Sequence, residues 1–260
     1  MAMPSLQALL HIARAGLLAN QVATDVLANN ISNINTNGYK QTRAEFQEML
    51  SRQLQPAAPN SRASGQAEGI WLAATQRLFE QGQIVASDDP WDLAVEGEGF
   101  FEVQYSDGQP AYTRSGDFQM DSQGRLVNPD GYLMSPVVTL PPDAEETHIN
   151  PDGTIMARRR GEIEPRSIAT VNLVRFANPS GLEDIGDNLF RPTDSSGGAQ
   201  VIAAQTNGMG QIIAYAQELS NVDLGQQITD LITAQRAYAL MTRALSTADE
   251  MLSLANQLRA

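Results

Sequence analysis

A long heptad pattern occupies the C-terminal end of this 260-residue chain. Apolar and small residues follow one another there at alternating spacings of three and four, over about three repeats. No proline or glycine comes after Gly225, and Asp223 stands where a helix N-cap is expected. The pattern predicts one long helix with a seam formed by Leu231, Ala234, Tyr238, Met241, Leu245, Ala248, Leu252 and Ala255.

The N-terminal segment predicts a second helix, but it carries two apolar stripes instead of one. The first stripe contains Leu6, Leu10, Ala13, Leu17, Leu27 and Ile31, and the second contains Leu9, Ile12, Ala15, Ala19, Val22 and Val26. A surface helix normally needs one apolar face, and a soluble monomer normally avoids leaving another exposed. A simple pair of terminal helices remains one interpretation. The second stripe favours the other, which is self-assembly through the termini.

Between the two helical patterns the sequence changes to short β-type runs separated by turn residues. Turn signals occur at Ser106-Asp107-Gly108, Asn128-Pro129-Asp130-Gly131 and Asn150-Pro151-Asp152-Gly153, among others. Such regular spacing is typical of antiparallel β structure, so we expect a barrel or sandwich. The predicted fold class is therefore α+β, with terminal helices forming a coiled-coil-like module and an all-β domain inserted between them.

A connector precedes the β region. Residues 53–69 are rich in proline, alanine, serine, glutamine and glycine, and they contain almost no core-forming side chains. The predicted organisation is a helical polymerisation module at residues 1–40 and 221–260, an extended connector at 41–69, and a β-rich domain at 70–220. We expect the connector to become ordered in an assembly, where neighbouring subunits contact it.

Composition excludes several classes of function. The net charge of −13 leaves no basic surface for nucleic acid, and the absence of cysteine rules out disulfides and thiolate chemistry. No apolar run reaches the roughly 20 residues that span a bilayer, so no membrane insertion is expected. The N-terminus lacks the basic region of a signal peptide. If the protein leaves the cytoplasm, it does so by another route.

Motifs for catalysis or cofactor binding are weak. Gly97-Glu98-Gly99 lacks the third glycine of a dinucleotide loop, and the only histidines, His11 and His148, form no cluster. The basic run Arg158-Arg159-Arg160 is flanked by acidic residues, which favours a solvated hairpin edge over a partner contact. We therefore expect no enzyme activity, no metal and no cofactor.

Three ordered segments of the chain resemble a known family. The first is Leu27 to Lys40, in which five of the nine residues from Asn29 to Asn37 are asparagine. The second runs from Asp92 to Leu133, and the third contains Ser220 to Leu224, Ala234 to Tyr238 and Asp249 to Leu252. Together they resemble the bacterial flagellar rod and hook axial proteins over the whole chain, although Tyr215 stands where that family usually has glycine.

The resemblance implies a structural role. In that family the terminal helices line a narrow export channel, the β domain forms an outer layer, and the subunits polymerise helically into a tube that transmits torque. The implied partners are further copies of the chain, proximal rod proteins, the hook protein, the P- and L-ring proteins and the flagellar type III export apparatus. The implied location is the basal body, from the periplasm across the outer membrane, without a cleaved signal peptide.

Two alternatives to this tube-forming subunit stay open. One is another rod or hook-basal-body paralogue, and the other is a secreted monomeric β-rich binding module.

The asparagines receive an interpretation within that role. Buried amides fix register where leucine contacts would tolerate sliding, because a misplaced amide loses its hydrogen bonds. Asn37-Gly38 is predicted to form a left-handed turn that ends the helix. The alternative is a helix end that caps itself without bonds between subunits. The residues predicted at subunit interfaces are Leu10, Leu17, Asn29, Asn30, Asn33, Asn37, Gly38, Leu231, Tyr238, Leu245 and Leu252.

Overall fold

Two long helices are the main elements of the computed structural model, which describes residues 6–50, 67–162, 164–206 and 208–257. Helix α1 spans Leu6–Ser32 and helix α2 spans Leu224–Gln257. The predicted cap of α2 is confirmed, since Asp223 Oδ1 accepts a hydrogen bond from the Gln226 N–H at 2.9 Å. The helices contact each other, as expected for the α+β class.

The chain divides into two compact units. The helical unit takes residues 1–32, 42–77 and 223–260, and the β unit takes residues 33–41 and 78–222. The helical unit also contains strands β1 (Thr42–Leu50) and β2 (Ala67–Arg77), which pair antiparallel and both contact α1.

This division differs from the boundaries that composition favours. The predicted connector at 41–69 includes all of β1, and the predicted boundary at residue 70 lies within β2. Aromatic and β-branched residues such as Phe46, Ile70 and Trp71 give these segments strand propensity that a composition count overlooks. Residues 51–66, which form most of the proline-containing stretch, lie outside the described residues.

Helices α1 and α2 approach each other at a glycine. A Cβ atom added to Gly16 would lie 3.0 Å from the Met241 sulfur. Asn20 lies beside this contact, where its Nδ2 donates to the Gly16 carbonyl at 2.9 Å and to the Met241 sulfur at 3.5 Å. The small residues in the N-terminal stripes therefore permit close packing between the helices.

Asn30 connects three elements of the helical unit. Its side chain is completely buried, its Nδ2 donates to the Thr42 carbonyl at 2.8 Å, and its Oδ1 accepts from the Thr42 N–H at 2.9 Å. The same Nδ2 donates to Oε1 of the buried Gln227 in α2 at 3.0 Å. The amide thus serves as a hydrogen-bonding partner for the first residue of β1 and holds α1 to α2.

The β unit contains strands β3 to β18 within the described residues. They are β3 (Ile84–Ala86), β4 (Leu93–Glu96), β5 (Phe101–Gln104), β6 (Pro110–Thr113), β7 (Gln119–Met120), β8 (Leu126–Val127), β9 (Leu133–Ser135), β10 (Ala144–Ile149), β11 (Thr154–Arg159), β12 (Arg166–Thr170), β13 (Asn172–Arg175), β14 (Glu183–Gly186), β15 (Leu189–Arg191), β16 (Gln200–Ala203), β17 (Gln211–Ala214) and β18 (Ala216–Glu218).

Antiparallel pairing joins these strands into one larger sheet and several small sheets. The larger sheet has the strand order β14-β15-β6-β5-β9-β8-β7, and β10, β11 and β12 form a three-stranded sheet. Pairs β13–β16, β17–β4 and β18–β3 complete the unit. The predicted turns at Gly108 and Gly153 both adopt positive φ, which glycine tolerates without strain. Tyr215 also has a positive φ of 56°, where a glycine would relieve the strain.

Two apolar cores stabilise the β unit. The main core contains buried residues from most of its sheets, including Leu93, Phe101, Phe118, Met134, Ile155 and Leu173. A second core is aromatic and contains Phe100, Tyr112, Val174, Phe176 and Phe190. Its rings meet edge to face, as for Tyr112 and Phe176 at 4.9 Å between centroids.

We expect Asn30→Ala to destabilise the helical unit by about 1–3 kcal/mol, because it leaves the Gln227 amide and the Thr42 backbone without their buried partner. Urea unfolding followed by the helical circular dichroism signal measures this change. Asn29→Ala is the matched control, because Asn29 is the neighbouring asparagine with an exposed side chain. Equal stability of the two variants would contradict the structural role of Asn30.

Candidate functional site

The segment Asn33–Gln41, here called the asparagine loop, belongs to the β unit. Asn37 is its central contact, since its Nδ2 lies 3.1 Å and 3.0 Å from the two carboxylate oxygens of Asp117 and 3.0 Å from Gln217 Oε1. Its carbonyl accepts a hydrogen bond from Asn188 Nδ2 at 3.2 Å. Asn37 therefore connects the loop to three separate parts of the β unit.

Gly38 adopts the predicted left-handed conformation, with φ of 69°. A Cβ atom there would lie 2.4 Å from the Ser115 backbone nitrogen, and the Gly38 N–H donates to the Glu218 carbonyl at 2.7 Å. Helix α1 already ends at Ser32, so the prediction that Asn37-Gly38 ends the helix is wrong. The glycine is required for close packing within the β unit, which helical periodicity does not reveal.

Lys40, Arg114 and Glu218 form a buried cluster of charged side chains, here called the charge cluster. Lys40 Nζ lies 2.5 Å from Glu218 Oε1, and Arg114 Nε lies 3.0 Å from Glu218 Oε2. All three side chains are 5% exposed or less. The single carboxylate therefore pairs with a cation from the asparagine loop and a cation from the β core.

Further hydrogen bonds satisfy the remaining polar atoms of the charge cluster. Lys40 donates to the Glu80 carbonyl at 2.8 Å, and Arg114 donates to the carbonyls of Gly97 and Gly99. Burial lowers the pKa of Lys40, while the Glu218 carboxylate acts in the opposite direction. The cluster thus depends on the Glu218 carboxylate, because its loss would leave two buried cations without a counter-charge.

Within the β unit, Asn221 connects the segment that precedes α2 to the end of the asparagine loop. Its Oδ1 accepts from the Gln41 N–H at 2.7 Å, and its Nδ2 donates to the Leu78 carbonyl at 2.9 Å. Sequence reasoning did not single out Lys40, Arg114, Glu218 or Asn221. The available signal was that Lys40 and Asn221 lie inside the two terminal motifs.

A polar cavity of about 260 Å³ lies beside the asparagine loop. Asn33, Asn37, Asp117, Asp130 and Asp187 contribute to its lining. Burial raises the pKa of Asp117, and the nearby Asp92 carboxylate raises it further, whereas the hydrogen bond from Asn37 lowers it. The environment of Asp117 therefore disfavours the charged form of its carboxylate.

The helical unit exposes large apolar side chains along α2, here called the apolar surface. Their exposed fractions lie between 43% and 64%, and spacings of three or four recur among them. The residues are Leu224, Ile228, Ile232, Tyr238, Leu240, Met251 and Leu254, and Leu18 of α1 is similarly exposed. Such a set on one helix is typical of a surface that another protein covers.

The predicted seam of α2 is buried in part. Ala234 and Ala248 are buried, Leu231, Met241 and Leu245 are half-buried, and Tyr238 is 45% exposed. The large Tyr238 side chain lies on the apolar surface, whereas small alanines occupy the buried positions of the seam. Leu17 is half-buried in α1, while the side chains of Leu10, Leu252 and Ala255 lie outside the described set. The role of these residues between subunits stays a prediction.

Chemistry of other kinds has little support in the described part of the chain. No group of three or more histidine, cysteine, aspartate or glutamate side chains there is arranged to hold a metal ion. Among the described helices, none combines the length and apolarity that crossing a bilayer requires.

Comparison with known families agrees with the resemblance of the three segments. Models of three families match: the "Flagella basal body rod protein" over residues 10–40, the "Flagellar hook protein FlgE/F/G D1 domain" over 94–157, and the "Flagellar basal body rod FlgEFG protein C-terminal" over 214–258.

Similar relatives cover nearly the full length. The flagellar basal-body rod protein FlgG of Caulobacter vibrioides is 39% identical over 259 residues, which covers 96% of this chain and 99% of the relative. FlgG of Borreliella burgdorferi is 37% identical over 259 residues, with 96% and 98% covered. The flagellar hook-basal body complex protein FlhP of Bacillus subtilis is 28% identical over 258 residues.

The chain therefore belongs to the family of flagellar hook and basal-body rod proteins, which are structural and not enzymatic. Two of the relatives named above are identical to this chain at more than a third of the aligned positions, and both are basal-body rod proteins FlgG. The chain is thus a FlgG-like component of the basal-body rod.

We expect Glu218→Gln to reduce the free energy of unfolding of the β unit by about 3–5 kcal/mol, because two buried cations lose their common counter-charge. Urea denaturation followed by tryptophan fluorescence, with Trp91 in the main core, measures the loss. Glu183→Gln, a change at an exposed glutamate of β14, is the control. A similar small effect of both changes would refute the importance of the charge cluster.

The raised pKa of Asp117 predicts a pH dependence. The folded state binds the Asp117 proton more tightly than the unfolded state, whose pKa is about 3.9. The contribution of Asp117 to stability is therefore greatest below that value and is lost as the pH rises through the folded pKa. We expect Asp117→Asn to remove this part of the pH dependence and to be at least as stable as wild type at neutral pH.

Urea unfolding at several pH values, compared with wild type and with the exposed-site variant Asp194→Asn, measures the difference. A difference between Asp117→Asn and wild type that stays constant with pH would contradict the assignment.

Proposed function

We propose that the chain is the structural subunit of the distal rod, where it polymerises helically into the drive shaft that transmits torque from the motor to the hook. The apolar surface of the helical unit is the observation that carries this proposal. Full burial of one such side chain is worth about 1.5–3 kcal/mol, so covering the apolar surface is a strong drive for association. Contact of this surface with a different face of the next copy produces an open helix when the rotation between successive copies does not close into a ring.

The residues predicted at subunit interfaces belong to this proposal. Tyr238 is exposed on the apolar surface and is available to a neighbour. Asn30 is different, since Thr42 and Gln227 of the same chain already use its amide. Its contribution to register is therefore indirect, through the rigid connection of α1, α2 and β1.

The proposal also includes specific partners for the rod and a specific location within the basal body. We expect the polymer to join proximal rod proteins at one end and the hook protein at the other, with the P- and L-ring proteins around it. Export through the flagellar type III apparatus would place it in the periplasm and across the outer membrane. The proline-containing connector is proposed to stiffen the shaft, so its deletion should give a more bendable rod.

Ile232→Asp tests the assembly role. Ile232 is 45% exposed, so we expect the variant to keep the stability of the free subunit within about 0.5 kcal/mol while it loses polymerisation, since a buried charge is unfavourable in the assembled contact. Sedimentation of purified protein at increasing concentration and swimming motility of cells measure assembly. Circular dichroism of the dilute subunit measures folding.

Gln235→Asp is the matched control, because it places the same residue at an exposed polar position of α2. It should assemble normally. A motile Ile232→Asp strain would count against the apolar surface, and a wild-type chain that stays monomeric at high concentration would favour a secreted binding module instead.

A further inference from the structure

An aromatic cavity opens at the surface of the β unit, with a volume of about 600 Å³. Three phenylalanines line it: Phe79, Phe100 and Phe176. The ring centroids of Phe79 and Phe100 are 5.3 Å apart, and those of Phe100 and Phe176 are 5.6 Å apart, in edge-to-face geometry. This volume is sufficient for a large apolar side chain together with part of its backbone.

Two arginines give the aromatic cavity a cationic character. Arg114 lies 6.0 Å from the centroid of the Phe100 ring and is already paired with Glu218. Arg175 is half-buried in the lining, and within the described residues its side chain forms no hydrogen bond or ion pair. Glu98 also contributes to the lining. The guanidinium of Arg175 is therefore available to an external carboxylate.

An exposed strand continues the apolar character beside the cavity. Gln200 of β16 lines the cavity and lies opposite Arg175 in the pairing of β13 with β16. The next residue, Val201, is 60% exposed, and β16 has β13 as its only strand neighbour in the described sheets. The cavity and the cationic side chain therefore lie beside a strand edge that no other strand covers in the described sheets.

We infer that the aromatic cavity receives a segment of a second copy of this chain, in which an apolar side chain is accompanied by a carboxylate. Charge complementarity favours a second copy as the occupant, because the chain carries 30 acidic residues against 17 basic ones. The inference rests on the proposed function, which keeps neighbouring copies of the β unit at high local concentration. It adds a contact made by the β unit to the one made by the helices.

Charge reversal at the cavity provides the test. We expect Arg175→Glu to raise the protein concentration needed for polymerisation by about tenfold, because a repulsive charge replaces the attractive one at a buried contact. Arg159→Glu is the matched control: it changes the net charge equally at an exposed arginine of β11 that is not part of the cavity lining. Its polymerisation should match that of wild type. Sedimentation of the purified full-length chains measures both.

A second variant, Ala177→Trp, fills the cavity from its exposed rim without changing charge. It should weaken polymerisation to a similar extent, and it decides the outcome if Arg175→Glu does not fold. Wild-type polymerisation by Ala177→Trp, or equal losses in Arg175→Glu and Arg159→Glu, would overturn the inference. Failure of the wild-type chain to polymerise would instead overturn the proposed function.

The identity of the occupant has its own measurement, since the chain has no cysteine. A photoreactive label attached to Ala177→Cys should join two copies covalently in the polymer, with the second attachment site near an acidic residue. The same label on Ser122→Cys, which lies in an exposed turn before β8, is the control and should give little of that product. A cross-link from Ala177→Cys to another protein of the basal body, and not to a second copy, would refute the assignment.

Discussion

The two ion pairs of the Glu218 carboxylate are the interactions on which the packing of the β unit depends. The carboxylate is buried with two cations, so its removal leaves both of them without a counter-charge away from water. Lys40 follows α1 in the sequence and Glu218 precedes α2, while Arg114 belongs to the β core between them. The cluster therefore joins three segments of the β unit that are far apart in the sequence, and it forms only when all three are in place.

The two units differ in how much apolar surface they leave exposed. In the β unit, the asparagine loop and Asn221 satisfy backbone and side-chain groups within the chain, and apolar residues fill two cores. In the helical unit, large side chains such as Ile232 and Leu240 remain exposed to water. This difference agrees with a subunit whose helices become covered only when it assembles with other subunits.

Sequence patterns predicted the helices and the antiparallel strands because local periodicity and turn residues determine them. The heptad rule located Ala234 and Ala248 in the buried seam, but it overestimated Tyr238, since periodicity identifies a face and not the neighbour that covers it. The charge cluster was beyond prediction because Lys40 and Glu218 are 178 positions apart in the chain. Strand β1 was overlooked because composition masked its propensity.

The asparagines show why an assembling protein benefits from polar groups satisfied inside one chain. A leucine at position 30 would pack against α2 but would tolerate sliding, whereas the Asn30 amide is satisfied only when Thr42 and Gln227 both occupy their places. α1, α2 and β1 are thus fixed relative to one another before any neighbour binds. A surface fixed in advance loses less conformational entropy on association, so more of the burial energy of the apolar surface is available for polymerisation.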